Sequence, residues 1–120
     1  MKILSTKSIN LYGSYDDGVR SRRIWQQLFD IYREHGDLSN MDNMLIDYDN
    51  CLKFVKDQRK SGSRHNSFVL GFDFDRGDTW WYSGERFDKE YALVATHFDH
   101  YIEVNIDGDE VEFIHHIQEN

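Results

Sequence analysis

Residues 101–113 read YIEVNIDGDEVEF, and this stretch decides the architecture. Ile102, Val104 and Ile106 alternate with polar residues up to Asp107-Gly108, and Val111 and Phe113 alternate away from it, the period of two expected of half-buried strands flanking a turn. Asp-Gly is a strong signal for a two-residue hairpin loop. With that loop Val104 faces Val111 and Ile102 faces Phe113, so one face of the hairpin is wholly apolar and needs a cover. The other face sets Glu103 against Glu112 and Asn105 against Glu110, with Asp99 near His116 further along. Like charges facing each other across strands destabilise by a few tenths to about 1 kcal/mol. A fold gains nothing from such pairs, which makes this acidic stripe a candidate binding surface as well as a solvated face.

Working back from the hairpin, Phe68, Leu70, Phe72 and Phe74 alternate with Ser67, Val69, Gly71 and Asp73, a second half-buried strand. The turn Asp75-Arg76-Gly77-Asp78 leads into Thr79–Tyr82, with Phe74 expected opposite Thr79 and Phe72 opposite Trp81. Trp80 and Tyr82 then share the other face with Gly71 and Asp73. Tyr91–Thr96 reads as a further strand, with a short helix capped by Asp88-Lys89-Glu90 as the alternative, since so short an apolar run has no deciding period.

Before residue 62 the period is helical. Val19, Ile24, Leu28 and Ile31, with the rings of Trp25, Phe29 and Tyr32, recur every three to four residues after the Asp16-Asp17-Gly18 turn, predicting a helix from about 17 to 35 stopped by Gly36. Ser39 and Asp42 resemble a capping box, and Met41, Met44, Leu45, Tyr48, Leu52 and Val55 predict a second helix over about 40–60. The opening, Lys2–Tyr12, alternates weakly and reads as an edge strand. The expected fold is α+β: a two-layer domain in which an N-terminal strand and two helices pack on a C-terminal antiparallel β-meander of four to five strands. One domain over 1–120 accounts for the length, with a helical part over about 1–62 and an acidic sheet over about 66–118.

Composition narrows the function classes. Leu, Ile, Val and Phe make up about a quarter of the chain, above the range of disordered sequences of high net charge. No apolar run is long enough for a membrane span or a signal peptide, so a soluble cytoplasmic protein, of a bacterium or an infected host cell, is expected. The single cysteine, Cys51, excludes an intramolecular disulfide and a CxxC zinc site. On helix two it reads as a small buried hydrophobe.

The net charge of −8 is uneven: residues 1–64 carry eleven Lys/Arg against nine Asp/Glu, whereas residues 65–120 carry three against thirteen. That opposes direct binding to nucleic acid or to an anionic membrane and favours a basic protein partner. Candidate partner-binding residues are Asp73, Trp80, Tyr82, Asp99, Tyr101, Glu103, Glu110 and Glu112, the aromatics as anchors and the acids as charge complement. The function expected is a small acidic inhibitor that occludes the basic surface of a nuclease or another nucleic-acid-handling enzyme, comparable in size and charge to phage anti-defence and immunity proteins and to DNA mimics.

The alternative rests on histidine. If His97 and His100 flank a tight Phe98-Asp99 turn, His97, His100 and His115 share one face, and three imidazoles could hold zinc with an open position, the basis of a metal-binding module or metal-dependent enzyme. Phe-Asp lacks the Gly or Asn such loops prefer, so the non-enzymatic reading without cofactor is favoured. Asp73, Asp75 and Asp78 echo a calcium loop but lack its sixth-position Gly, terminal Glu and flanking helices. Arg76-Gly77-Asp78 is a chance-length tripeptide. The Arg20, Arg22, Arg23 cluster and the basic residues of helix two read as solvated helix faces. No phosphate-cradling glycine loop, nucleophile elbow or Ser-His-Asp order is present.

Overall fold

The computed structural model describes residues 2–35, 47–62, 65–73, 78–84 and 88–118. In chain order these form β1 (Lys2–Asn10), α1 (Asp17–His35), α2 (Tyr48–Ser61), β2 (His65–Asp73), β3 (Asp78–Tyr82), α3 (Lys89–His97), β4 (His100–Asp107) and β5 (Glu110–Ile117). The strands make one sheet in the order β1-β5-β4-β2-β3, and each adjacent pair is antiparallel. This is the expected α+β arrangement, with one departure from a plain meander. After the β2–β3 hairpin, α3 carries the chain back across β2, so that β4 enters on the far side of β2.

Helix α1 has the bounds its period predicts. Ile24, Leu28 and Ile31 fall on one stripe and are fully buried, while Trp25 and Phe29 are half-buried and stack on each other at 5.4 Å. Val19, expected on the same stripe, lies in the first turn and is exposed. Helix α2 spans Tyr48–Ser61 among the described residues. Asp47 has an extended backbone and its carboxylate accepts from Asp49 N, so the helix is capped there, and Gly62 closes it in the left-handed conformation at φ 69°. The Ser39–Asp42 box and the run 40–46 lie outside the described residues, as does the 74–77 turn.

Both helices cover one face of the sheet, called here the inner face. Their buried stripes meet Phe68, Leu70, Phe72, Ile102, Val104, Ile106, Val111 and Phe113, the alternate residues of the three central strands. Phe54 of α2 stacks on Phe68 at 4.3 Å with rings 7° apart, and Trp81 closes the edge of that cluster. Burial of this kind contributes about 25 cal/mol per Å² of apolar surface and is the main favourable term in folding.

Two strand registers differ from expectation by two residues. In the last hairpin Val104 faces Phe113 and Ile106 faces Val111, because the loop is Gly108-Asp109, not Asp107-Gly108. Gly108 takes φ 60° at the first loop position, as primed turns require. Arg20 of α1 then donates to Gly108 O at 2.7 Å and to Asp109 Oδ1 at 2.9 Å, while Leu11 N donates to Asp109 O at 2.7 Å. These long-range bonds hold the turn where local sequence leaves two choices. In the other hairpin Phe72 faces Thr79 and Leu70 faces Trp81. A shift of two keeps every side chain on its expected face, so the core is unchanged by either correction.

The stretch 91–96, expected as a strand with a short helix as the alternative, lies instead in the helix α3, Lys89–His97. Asp88 caps α3 by accepting from Tyr91 N at 2.8 Å, and Val94 is fully buried against the outer face of the sheet.

Candidate functional site

The outer face carries the side chains that alternate with the core. Its rows follow from the register: Asn10, Glu110, Asp107 and His65; then Ser8, Glu112, Asn105 and Ser67; then Thr6, Ile114, Glu103, Val69 and Tyr82; then His116, Tyr101, Gly71 and Trp80; and at the end Asp73 and Asp78. Among the described outward-facing strand residues there are six carboxylates and no Lys or Arg. Asp107 faces Glu110 and Asp73 faces Asp78. The facing acid pairs are therefore real, at positions other than those expected: Glu103 lies opposite Ile114, and Glu112 opposite Asn105.

Helix α3 divides this face into an open part and a covered part. On the open part Asp107, Glu110 and Glu112 are exposed, with Asn10 Nδ2 donating to Glu110 Oε1 at 2.7 Å and His65 Nδ1 3.5 Å from Asp107 Oδ1. On the covered part Val69, Val94, Phe98 and Tyr101 form a second small core. Tyr101, expected as an exposed anchor, is buried there because α3 lies over it. Asp73 and Glu103, expected on the surface, are only 4% and 3% exposed. Asp99 stays exposed in the α3–β4 connection, and its carbonyl accepts from Gln118 N. Trp80 remains 42% exposed at the rim, whereas Tyr82 is half-buried with its hydroxyl donating to the Asp88 carboxylate.

Glu103 and His116 meet on this face. His116 Nε2 lies 2.8 Å from Glu103 Oε1, and the imidazole stacks on Tyr101 at 4.2 Å with the rings 8° apart. Burying a carboxylate is costly unless it is paired, and here an imidazole supplies the pairing. Beside Glu103 is a pocket of about 120 Å³, lined by Ser67, Val69, Tyr82, Tyr91 and Asn105 among others. Ser67 Oγ donates to Asn105 Oδ1 at 2.9 Å on its wall, and Tyr91 meets Tyr101 edge-on at 6.3 Å.

The three histidines of the metal alternative do not converge. His97 is exposed at the end of α3, on the outer side, whereas His100 and His115 point to the inner face, 3.0 Å apart from Nδ1 to Nε2 and packed against Phe72. The expected tight 98–99 turn is instead the exit from a helix, which puts His97 and His100 on opposite sides of the sheet. Among the described residues no three His, Cys, Asp or Glu side chains are grouped to hold a metal ion. Cys51 is fully buried, and that burial, with the Asp47 carboxylate adding to it, pushes its thiol up to about 12. A thiol so placed is a packing residue.

Sequence reasoning missed Ser67 and Tyr91 as neighbours of the site, and it set Asn105 and His116 on the stripe without bringing them to Glu103. The available signal was Asp88: read as a helix cap, it puts Tyr91 and Val94 three apart on one helical face, turned to the sheet. A larger hollow of about 400 Å³ lies on the opposite side near Tyr15, where Arg20 is already engaged by the hairpin turn and Arg59 by Asp17 at 2.7 Å. Compared with protein-family models, with curated proteins and with solved structures, the chain matches none. Among the described residues no helix is long and apolar enough to cross a membrane.

Proposed function

We propose that this chain is a small acidic binding protein whose outer sheet face covers the basic nucleic-acid-binding surface of an enzyme, such as a nuclease, and inhibits it by occlusion. The observation that carries the reading is the outer face itself: exposed Asp107, Glu110 and Glu112 on a sheet surface without Lys or Arg among its described strand residues, with Asp107 and Glu110 facing each other across the hairpin. Complementary charge of this kind raises association rates and selects partners, and Trp80 at the rim is the type of side chain on which interface energy concentrates. The action is binding rather than catalysis.

The test is inhibition of DNA cleavage by purified enzymes with basic clefts, for instance a restriction endonuclease, an RNA-guided nuclease and a nuclease toxin. At least one should be inhibited in competition with DNA. Combining Asp107→Lys, Glu110→Lys and Glu112→Lys should remove that inhibition while leaving the thermal unfolding transition in place. If no enzyme is inhibited, or the triple variant inhibits equally well, the reading fails.

A further inference from the structure

We infer that the pocket beside Glu103 receives one cationic side-chain head, an arginine guanidinium of the protein partner. The inference rests on the binding-protein reading above and names the contact at its centre. At about 120 Å³ the pocket is well below the roughly 300–1,000 Å³ that encloses a drug-sized ligand, and is of a size for a single head group. Its lining is specific in kind. Glu103 brings a carboxylate that is almost wholly removed from water, held through Oε1 by His116.

Tyr82 and Tyr91 supply two aromatic rings, and aromatic faces attract cations, most strongly where water is excluded. The rings are braced: the Tyr82 hydroxyl donates to Asp88, and Asp88 also caps the helix that carries Tyr91. Ser67 and Asn105 add hydrogen-bonding oxygens at the mouth, the Asn105 carbonyl already accepting from Ser67. A guanidinium carries five N–H donors in a planar fork, so it can meet a carboxylate and neighbouring oxygens while its plane lies against a ring. An ammonium offers only a compact point charge. The acids at Asp107, Glu110 and Glu112 lie on the same face and would draw a basic surface toward the pocket.

The experiment is a titration followed by NMR, with three probes: ethylguanidinium, a pentapeptide with one central arginine flanked by glycines, and the same peptide with citrulline. Expected are saturable shifts of the Tyr82, Gly84 and Tyr91 signals with the first two probes, and at least about tenfold weaker binding of the neutral citrulline peptide. Glu103→Gln should weaken the arginine peptide by about tenfold or more. Because Glu103 is buried and that variant could misfold, Ser67→Trp at the exposed mouth provides a second block that leaves Glu103 in place. Binding of ethylguanidinium but not of the arginine peptide would make the pocket a small-molecule site and overturn the inference. So would equal binding of the citrulline peptide, or arginine binding unchanged in Ser67→Trp. The two proposals fail separately: an enzyme inhibited equally by wild type and Ser67→Trp sinks only the pocket, whereas arginine-peptide binding without inhibition of any enzyme sinks only the occlusion reading.

Discussion

Gly71 and Phe98 meet so closely across the outer face that a methyl group at Gly71 would lie 2.5 Å from Phe98 Cδ2, and 2.8 Å from Val94 Cγ1. A glycine within a strand often marks such an approach of another element. Here it is what lets α3 lie flat on β2, and α3 in turn forms one wall of the pocket.

Gly71→Ala is therefore expected to destabilise the domain by about 1–3 kcal/mol, the usual cost of overpacking a closed site. Urea unfolding measures the loss, and hydrogen exchange of the α3 amides should rise more than that of α1. A variant as stable as wild type, with α3 equally protected, would show that the helix can lift without cost.

Arg20 ties α1 to the β4–β5 turn with bonds to Ser14 O, Gly108 O and Asp109 Oδ1, and its side chain is mostly buried. Arg20→Met keeps the stem and removes the donors, so a loss of about 1.5–3 kcal/mol is expected in urea unfolding. Asp109→Ala, which removes a partly exposed acceptor, should cost less than Arg20→Met. The reverse order would mean that the ion pair, rather than the bonds to the turn carbonyl, holds the hairpin.

Glu110→Gln should raise stability by a few tenths of a kcal/mol, because it relieves the charge facing Asp107 while a Gln oxygen still accepts from Asn10. Its association with a basic partner should slow. A gain in stability together with a loss in association rate is what distinguishes charge kept for binding from charge without consequence.

Trp80→Ala should change thermal stability little, since the ring is 42% exposed, while weakening partner binding by about 2 kcal/mol, as the loss of an anchor does. If the variant instead melts far below wild type, Trp80 belongs to the packing under α3 and not to the interface.

The Cys51 thiol, pushed from 9.0 up to about 12, should react with a thiol reagent at pH 8 about a hundredfold or more slowly in the native protein than in urea. The linkage has a definite sign. The fold favours the neutral thiol, so its contribution is intact below about 9 and is lost as the pH rises from there toward 12, where only the unfolded chain is ionised. Cys51→Ala should flatten that alkaline loss.

By itself the sequence determined which side chains lie on which face. Period three to four over 17–35 placed Ile24, Leu28 and Ile31 in the core, and period two over 68–72 and 102–113 placed Phe68, Leu70, Phe72, Ile102, Val104, Val111 and Phe113 opposite them. Face assignment survives a register error of two, because strand side chains repeat every second residue. The acidity of the outer face was legible for the same reason. What only the tertiary structure decided is which of those outward residues meet water. The hairpin loop moved to Gly108-Asp109 because Arg20, 88 positions away from Gly108, clasps it there. Residues 89–97 became a helix over Gly71, and that helix buried Tyr101 and left Asp107, Glu110 and Glu112 among the open acids. Nine residues are too few for a helix to be stable alone in water, so its choice over a strand lay with Asp88 and with the sheet beneath it.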